Sequence, residues 1–321
     1  MDAIEPVDLN DYRYFAAVVE AGGALDAECK GFNPGEGPGA LNGGAVHGGR
    51  YTAPTPAPYG SILRPATLGS GGDTGYYKRR GGGRIRVRVD GTFTVDGMVC
   101  ADSARTSSTD ASWYSAAGGS VWVTAGALKG AGIICADGGR VINSAVGTGG
   151  RVAVYTTSAP VIRGEGGFTG LISAYGGRTF TGGALPQRAC GSVYLQPAGA
   201  ADGAGTVIAS QGGGSADAAY GMDLPVTVDG DSRLAYSRAT VVAKENGVIY
   251  LTRGVTVGDM DIAAGCRINL NGHTLRILSR AHRTATPDGN GGYKADWKGT
   301  VSYGTGGKIV WGPVGSVLYL R

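Results

Sequence analysis

The chain reads as all-β, a right-handed parallel β-helix (β-solenoid) with long glycine-rich loops. Two recurring motifs and one periodicity predict it. The first motif is glycine, then Arg or Ser, then an alternating apolar strand: Gly83-Arg84-Ile85-Arg86-Val87, Gly119-Ser120-Val121-Trp122-Val123, Gly150-Arg151-Val152-Ala153-Val154 and Gly191-Ser192-Val193-Tyr194-Leu195. Its first apolar residues, at 85, 121, 152 and 193, are spaced by 36, 31 and 41. The second is an aliphatic residue followed two places later by alanine, at Val99-Cys100-Ala101, Ile134-Cys135-Ala136, Ile172-Ser173-Ala174 and Val207-Ile208-Ala209. Paired motifs returning in register every roughly 20–50 residues mark stacked supersecondary units. Inside each unit the apolar residues alternate with a period of two, which is a strand and not a helix.

Stacking turns these motifs into columns. Val99, Ile134, Ile172 and Val207 should form one inward ladder, with the alanines two places on as a narrower column beside it. Glycine should hold the corners, where positive φ is needed. Parallel connections within one sheet turn right-handed almost always, hence the handedness.

In chain order, residues 1–80 read as N-terminal coils with glycine- and proline-rich loops. The run 14–19 is apolar, and Leu25-Asp26-Ala27 repeats the second motif. From Leu25 to Val99 is about two periods, so a further coil is expected between them, with Tyr59-Gly60-Ser61-Ile62-Leu63 as its strand. Residues 81–215 are the glycine-rich repeats. Residues 216–321 lose glycine and read as tighter coils of the same solenoid. Their strands are expected at 225–229, 240–243, 247–252, 261–263, 266–270, 274–278, 300–303, 308–311 and 316–320, around a polar excursion at 281–298.

Composition narrows the classes. Glycine is 61 of 321 residues, high but without the strict triplet of collagen. A net charge of +4 gives no reason to expect a nucleic-acid partner. Five cysteines, an odd number in a long chain, are not a disulfide framework. No run of apolar residues is long enough to span a membrane. Met1-Asp2-Ala3-Ile4-Glu5 begins no signal peptide, and Val317-Leu318-Tyr319-Leu320-Arg321 stops mid-strand, so a piece cut from a larger protein is expected. No nucleophile elbow, zinc-protease helix or phosphate loop is present, and no cofactor is expected.

A resemblance can be placed on particular residues. The succession Gly35-Glu36-Gly37-Pro38-Gly39, His47-Gly48-Gly49, Tyr59-Gly60-Ser61, Leu68-Gly69-Ser70-Gly71-Gly72, Gly81-Gly82-Gly83-Arg84-Ile85 and Gly150-Arg151-Val152 resembles the glycine-rich β-helical regions of large bacterial surface proteins. It covers about residues 25–214. The block Asn269-Leu270-Asn271-Gly272-His273-Thr274-Leu275 is similar to repeats of autotransporter passenger domains and related adhesins, over about 247–321. These families imply an extracellular or cell-surface location and an elongated right-handed β-helix, and they carry no shared catalytic residues to transfer. The cysteines depart from them, as does the lack of a membrane-anchoring barrel.

Three groups of residues are candidates for chemistry. Asp102 and Asp137 each lie two places beyond a cysteine and should stack on neighbouring coils, continuing as Tyr175 and Ser210. They suit a calcium site or an acid pair, as in β-helical polysaccharide lyases and hydrolases, or serve simply as solvated turn aspartates. Cys100 and Cys135 share a column within disulfide reach, so a cross-rung bond and two thiols both stay open. Lys78, Arg79, Arg80, Arg84, Arg86 and Arg88, beside Tyr76 and Tyr77, form the clearest basic patch. It suits an acidic polysaccharide or surface glycan, or serves only to keep a sheet face soluble. His47 and His273 read as turn residues beside glycine. The expected function is a non-enzymatic structural or adhesive segment; a polysaccharide-active enzyme is the rival. The third alternative is a self-assembling filament or shell subunit that associates through its solenoid ends.

Overall fold

The computed structural model describes residues 23–40, 45–50, 56–72, 79–103, 115–139, 147–177, 189–214 and 220–312. Tyr76, Tyr77 and Lys78 lie outside the described residues, as do the run 14–19 and the strand expected at 316–320. The described chain is all-β and holds no helix. Its strands are β1 (Ala24–Asp26), β2 (Arg84–Thr94), β3 (Met98–Cys100), β4 (Ser120–Lys129), β5 (Ile133–Cys135), β6 (Arg151–Thr156), β7 (Leu171–Ser173), β8 (Ser192–Gln196), β9 (Thr206–Ser210) and β10 (Met222–Leu224). They continue as β11 (Thr240–Lys244), β12 (Val248–Leu251), β13 (Val255–Val257), β14 (Asp259–Ile262), β15 (Arg267–Asn269), β16 (Thr274–Ile277), β17 (Arg283–Pro287), β18 (Tyr293–Ala295), β19 (Thr300–Ser302) and β20 (Lys308–Trp311).

Most pairs are parallel. One sheet runs β2-β4-β6-β8-β9-β11-β14, a second β1-β3-β5-β7, a third β10-β12-β15-β19 and a fourth β13-β16-β20. The polar excursion holds an antiparallel hairpin, β17 with β18. The first motif is in register throughout: Ile85 faces Val121, Val121 faces Val152, and Val152 faces Val193. The second aligns as Leu25, Val99, Ile134 and Ile172 on successive strands. The pleat sends alternate residues inward, so Val87, Val121, Val123, Val152 and Val154 meet Val99, Ala101, Ile134, Ala136 and Ile172 in one core. Each fully buried valine or isoleucine there is worth about 1.5–3 kcal/mol in transfer from water.

Three expectations fail, each for a physical reason. Val207 does not continue the Val99 ladder. It lies on β9, opposite Tyr194 of β8 in an antiparallel pair and opposite Val241 of β11 in a parallel one. The link from Gln196 to Thr206 is too short for a crossover between parallel strands, which takes about a dozen residues, so the chain turns straight back. Val207 and Ala209 then bury in a second core with Val241, Ala243, Met260 and Ile262. No strand lies between β1 and β3, which pair directly, and residues 59–63 are not a strand but bends after a single bridge at Tyr59. The strand expected at 225–229 is instead β10, ending at Leu224 because Pro225 has no N–H to give a ladder.

The motif glycines answer to close backbone approach. A Cβ on Gly119 would lie 1.9 Å from Gly83 O, one on Gly150 2.0 Å from Gly119 O, and one on Gly191 1.7 Å from Gly150 O. None of these three has positive φ. Their N–H groups are spent on the second motif: Gly83, Gly119, Gly150 and Gly191 donate to the carbonyls of Ala27, Ala101, Ala136 and Ala174 at 2.9, 2.7, 2.7 and 2.7 Å. Each bond ties an alanine to the glycine that opens the following strand of the first sheet. Gly150→Ala should therefore lower unfolding free energy by at least ~2 kcal/mol in urea titrations, because backbone must move to admit the methyl. Gly91→Ala, with no atom within 4 Å of its new Cβ, should change it by less than ~0.5 kcal/mol.

Candidate functional site

The outer face of the β2-β4-β6-β8 sheet gathers Arg84, Arg86, Arg88 and Arg151 with Trp122, Tyr155 and Tyr194. The residue after each motif glycine points outward there, giving the in-register column Arg84, Ser120, Arg151 and Ser192. Segment 59–68 lies across this column as a strap. Arg84 Nη1 donates to Ala66 O at 3.0 Å, Ser120 Oγ to Thr67 O at 2.6 Å and Arg151 Nε to Tyr59 O at 2.8 Å. Arg151 Nη1 also donates to Ser192 Oγ at 3.1 Å. In the next columns Tyr155 meets Tyr194 edge-on, with ring centroids 5.5 Å apart, and its hydroxyl donates to Leu63 O. The far side of the strap is held by Asp231, which accepts from Ser61 Oγ, Ile62 N, Leu63 N and Tyr236 Oη.

What stays exposed is the β2 end of this face. Arg84, Arg86 and Arg88 share one side, as their alternation with Ile85, Val87 and Val89 requires, and all three are exposed. The Arg86 guanidinium lies 4.2 Å over the Trp122 ring, and Arg88 sits 3.8 Å from exposed Asp90. Arg80 is exposed and Arg79 half-buried, its charge acting on the Cys29 thiol. Among the described residues β2 is the last strand of its sheet, and arginines on such an edge discourage unwanted pairing while offering forked donors to carboxylate or sulfate.

Beneath the strap lies a polar core that sequence reading missed. His47, in a bend beside Gly48, is fully buried and packs against Tyr59 with ring centroids 4.6 Å apart. Gly118 O, 2.7 Å from Nδ1, can only accept, so Nδ1 carries the proton and Nε2 accepts from Thr67 Oγ1 at 2.8 Å. Burial first, and the Arg151 charge second, bring its pKa down to about 3. Arg151 is fully buried without a carboxylate in contact, and its Nη2 has no hydrogen-bond partner. Asp223, fully buried on β10, is held by Arg50 Nε at 2.7 Å and Nη2 at 3.2 Å. Desolvation raises the Asp223 carboxyl above its usual range, against the pull of Arg50.

The second gathering is on the outward side of β3 and β5. Cys100 faces Cys135 in register, with the sulfurs 3.2 Å apart as separate thiols and no disulfide in the described chain. Asp102, expected to face solvent, is 2% exposed and accepts Asp137 N on Oδ1 at 2.6 Å. Asp137, partly buried, accepts Tyr175 N on Oδ1 at 2.7 Å. The acids thus stack as expected and continue to Tyr175, each giving one oxygen to the N–H of the next strand. Ser210 is not in this column, since β9 belongs to the other sheet, where it faces Lys244. Ser173 extends the cysteine column instead. Its buried Oγ has no partner and it lines a cavity of about 40 Å³ with Ile172, Val193, Ile208, Ser210 and Glu245. That volume suits water or a small ion, not a sugar ring.

No family model, curated protein or solved structure matches this chain.

The one available cue to the missed core is the alternation of Arg and Ser at the second motif position. A surface position would not need to choose between them, whereas two arginines stacked on adjacent strands would repel. Two outcomes follow. His47 binds no proton in the folded chain until far below its ordinary pKa of 6.5, whereas the unfolded chain binds one there, so stability must fall as pH drops from about 6.5 toward 3. Urea titrations should show a loss approaching ~1.4 kcal/mol per pH unit in that window, with the slope flattened in His47→Gln. Asp223 titrates with the opposite sign, so the difference between the two proteins isolates the histidine. Arg50→Met, which strands a buried carboxylate, should cost about 3–5 kcal/mol in the same assay at pH 7.

Proposed function

We propose that this chain is a structural segment of a large extracellular or cell-surface protein, a right-handed β-solenoid that holds binding surfaces at fixed spacing. It binds acidic polysaccharide through Arg84, Arg86 and Arg88 on the exposed end of the first sheet. The observation that carries the reading is the register of the two motifs: Ile85-Val121-Val152-Val193 and Leu25-Val99-Ile134-Ile172 each align on successive strands. Stacked repeats of this kind favour extended, rigid surfaces over a single deep cleft. The resemblance of the glycine-rich stretches to bacterial surface proteins supports the location, and the row of exposed guanidiniums supports the ligand class. Where Asp102 and Asp137 each hold a backbone N–H, an acid pair acting on a glycosidic bond would first have to release it.

A glycan panel tests this. Polyuronate and sulfated polysaccharides should bind with salt-sensitive affinity, neutral glycans should not, and Arg84, Arg86 and Arg88→Ala together should weaken binding by ~10-fold or more. Reducing ends should not accumulate. Depolymerisation that disappears in Asp102→Asn would instead establish the enzyme, and retention of full affinity by the triple variant would remove the basic face from the account. Growth of light scattering with concentration would favour the self-assembling subunit.

A further inference from the structure

The geometry points to a site for a thiophilic divalent ion of the zinc class, ligated by Cys100 and Cys135 sulfurs and an Asp102 oxygen. This stands apart from the glycan-binding role. The three donor atoms lie within 4.8 Å of one another, and all three residues are buried. They are mixed soft and hard donors from adjacent strands, a set that zinc takes and calcium does not. In-register pairing of Cys100 with Cys135 fixes both sulfurs, and the bond from Asp137 N fixes the Asp102 carboxylate, so the donors are pre-oriented.

The distances suit the ion. The sulfurs stand 3.2 Å apart. Two bonds of about 2.3 Å at a tetrahedral angle need roughly 3.7 Å, a small opening of one side-chain torsion. Ser173, in register with Cys135 on the next strand, supplies an independent sign. Its Oγ is fully buried with no hydrogen-bond partner, and a hydroxyl donor at that place is what a Cys135 thiolate would accept. The small cavity beside Ser173 has room for water next to the strand of Cys135, although none of the three ligands lines it.

Charge and proton balance fix the conditions. The metal-free chain carries both cysteines as thiols. Binding therefore exchanges two S–H protons for one divalent ion: both sulfurs become thiolates, the carboxylate keeps its charge, and nothing is oxidised or reduced. Affinity must rise with pH accordingly.

Cobalt(II) replaces zinc as a visible probe. The full chain, reduced and kept anaerobic, should take up one cobalt ion with thiolate-to-cobalt charge-transfer absorption. About two protons should be released into weak buffer per ion. Zinc should displace the cobalt and bleach the spectrum. Asp102→Asn should weaken binding by ~10–100-fold, Cys135→Ser should at least halve the charge-transfer band, and Cys100→Ser with Cys135→Ser together should abolish it. Ser173→Ala should leave the stoichiometry and lower the affinity. The site is wrong if wild-type protein binds cobalt without that band or without proton release, which would mean surface carboxylates. It is equally wrong if mass mapping of the purified chain finds Cys100 and Cys135 joined as a disulfide that metal cannot prevent.

Discussion

The fold rests on one repeated backbone hydrogen bond, from a glycine N–H to the carbonyl of the alanine that closes the preceding motif. It recurs from Gly83 to Ala27, Gly119 to Ala101, Gly150 to Ala136 and Gly191 to Ala174. Such a bond brings two main chains together where no side chain fits. At Gly118 an added Cβ would meet Ala136 O at 2.2 Å, and at Gly149 it would meet Ala174 O at 2.0 Å. The high glycine content thus reflects contacts between segments more than flexibility. The alanines are small for a related reason, since Ala101 and Ala136 are fully buried between two sheets. Sheet register, core alternation and the outward columns all follow once these bonds hold the two sheets together.

Polar groups follow the same economy of space. Asp102 and Asp137 cap N–H groups along the edge of β5 and β7 rather than facing water. His47 and Arg151 sit in the interior against the strap, bonded to its Thr67 Oγ1 and Tyr59 O, and Asp223 is buried against Arg50. A buried arginine without a contacting carboxylate is costly, and here the cost is offset only in part by Tyr59 O and Ser192 Oγ. Such groups add polar ties to a strap that also buries Tyr59, Ile62 and Leu63.

Much of this was legible from residues alone. The period-two alternation and the two motifs placed β2 to β8 correctly, and β11, β12, β14, β15, β16, β19 and β20 fell close to their expected positions, because each side chain reports its face directly; β13 and the hairpin β17–β18 were not expected as strands. Val207 misled because its local motif matches Val99 while its partner is chosen by the length of the preceding link. Tyr59-Gly60-Ser61-Ile62-Leu63 misled because an apolar pair flanked by glycine is compatible with a strand or a strap, and only Asp231, far along the chain, decides between them. For the candidate sites the stacking of Asp102 on Asp137 and of Cys100 on Cys135 could be read from spacing. Their burial could not, since it depends on the N–H bonds each acid accepts from the next strand.

The tie between Ser61 and Asp231 spans 170 positions. During synthesis the strap therefore leaves the ribosome long before the residue that fastens it. Until then the strap, whose Leu63 O takes the Tyr155 hydroxyl, lacks the carboxylate that holds Ile62 N and Leu63 N. The slowest event in maturation is expected to be this late latching, not the pairing of successive parallel strands.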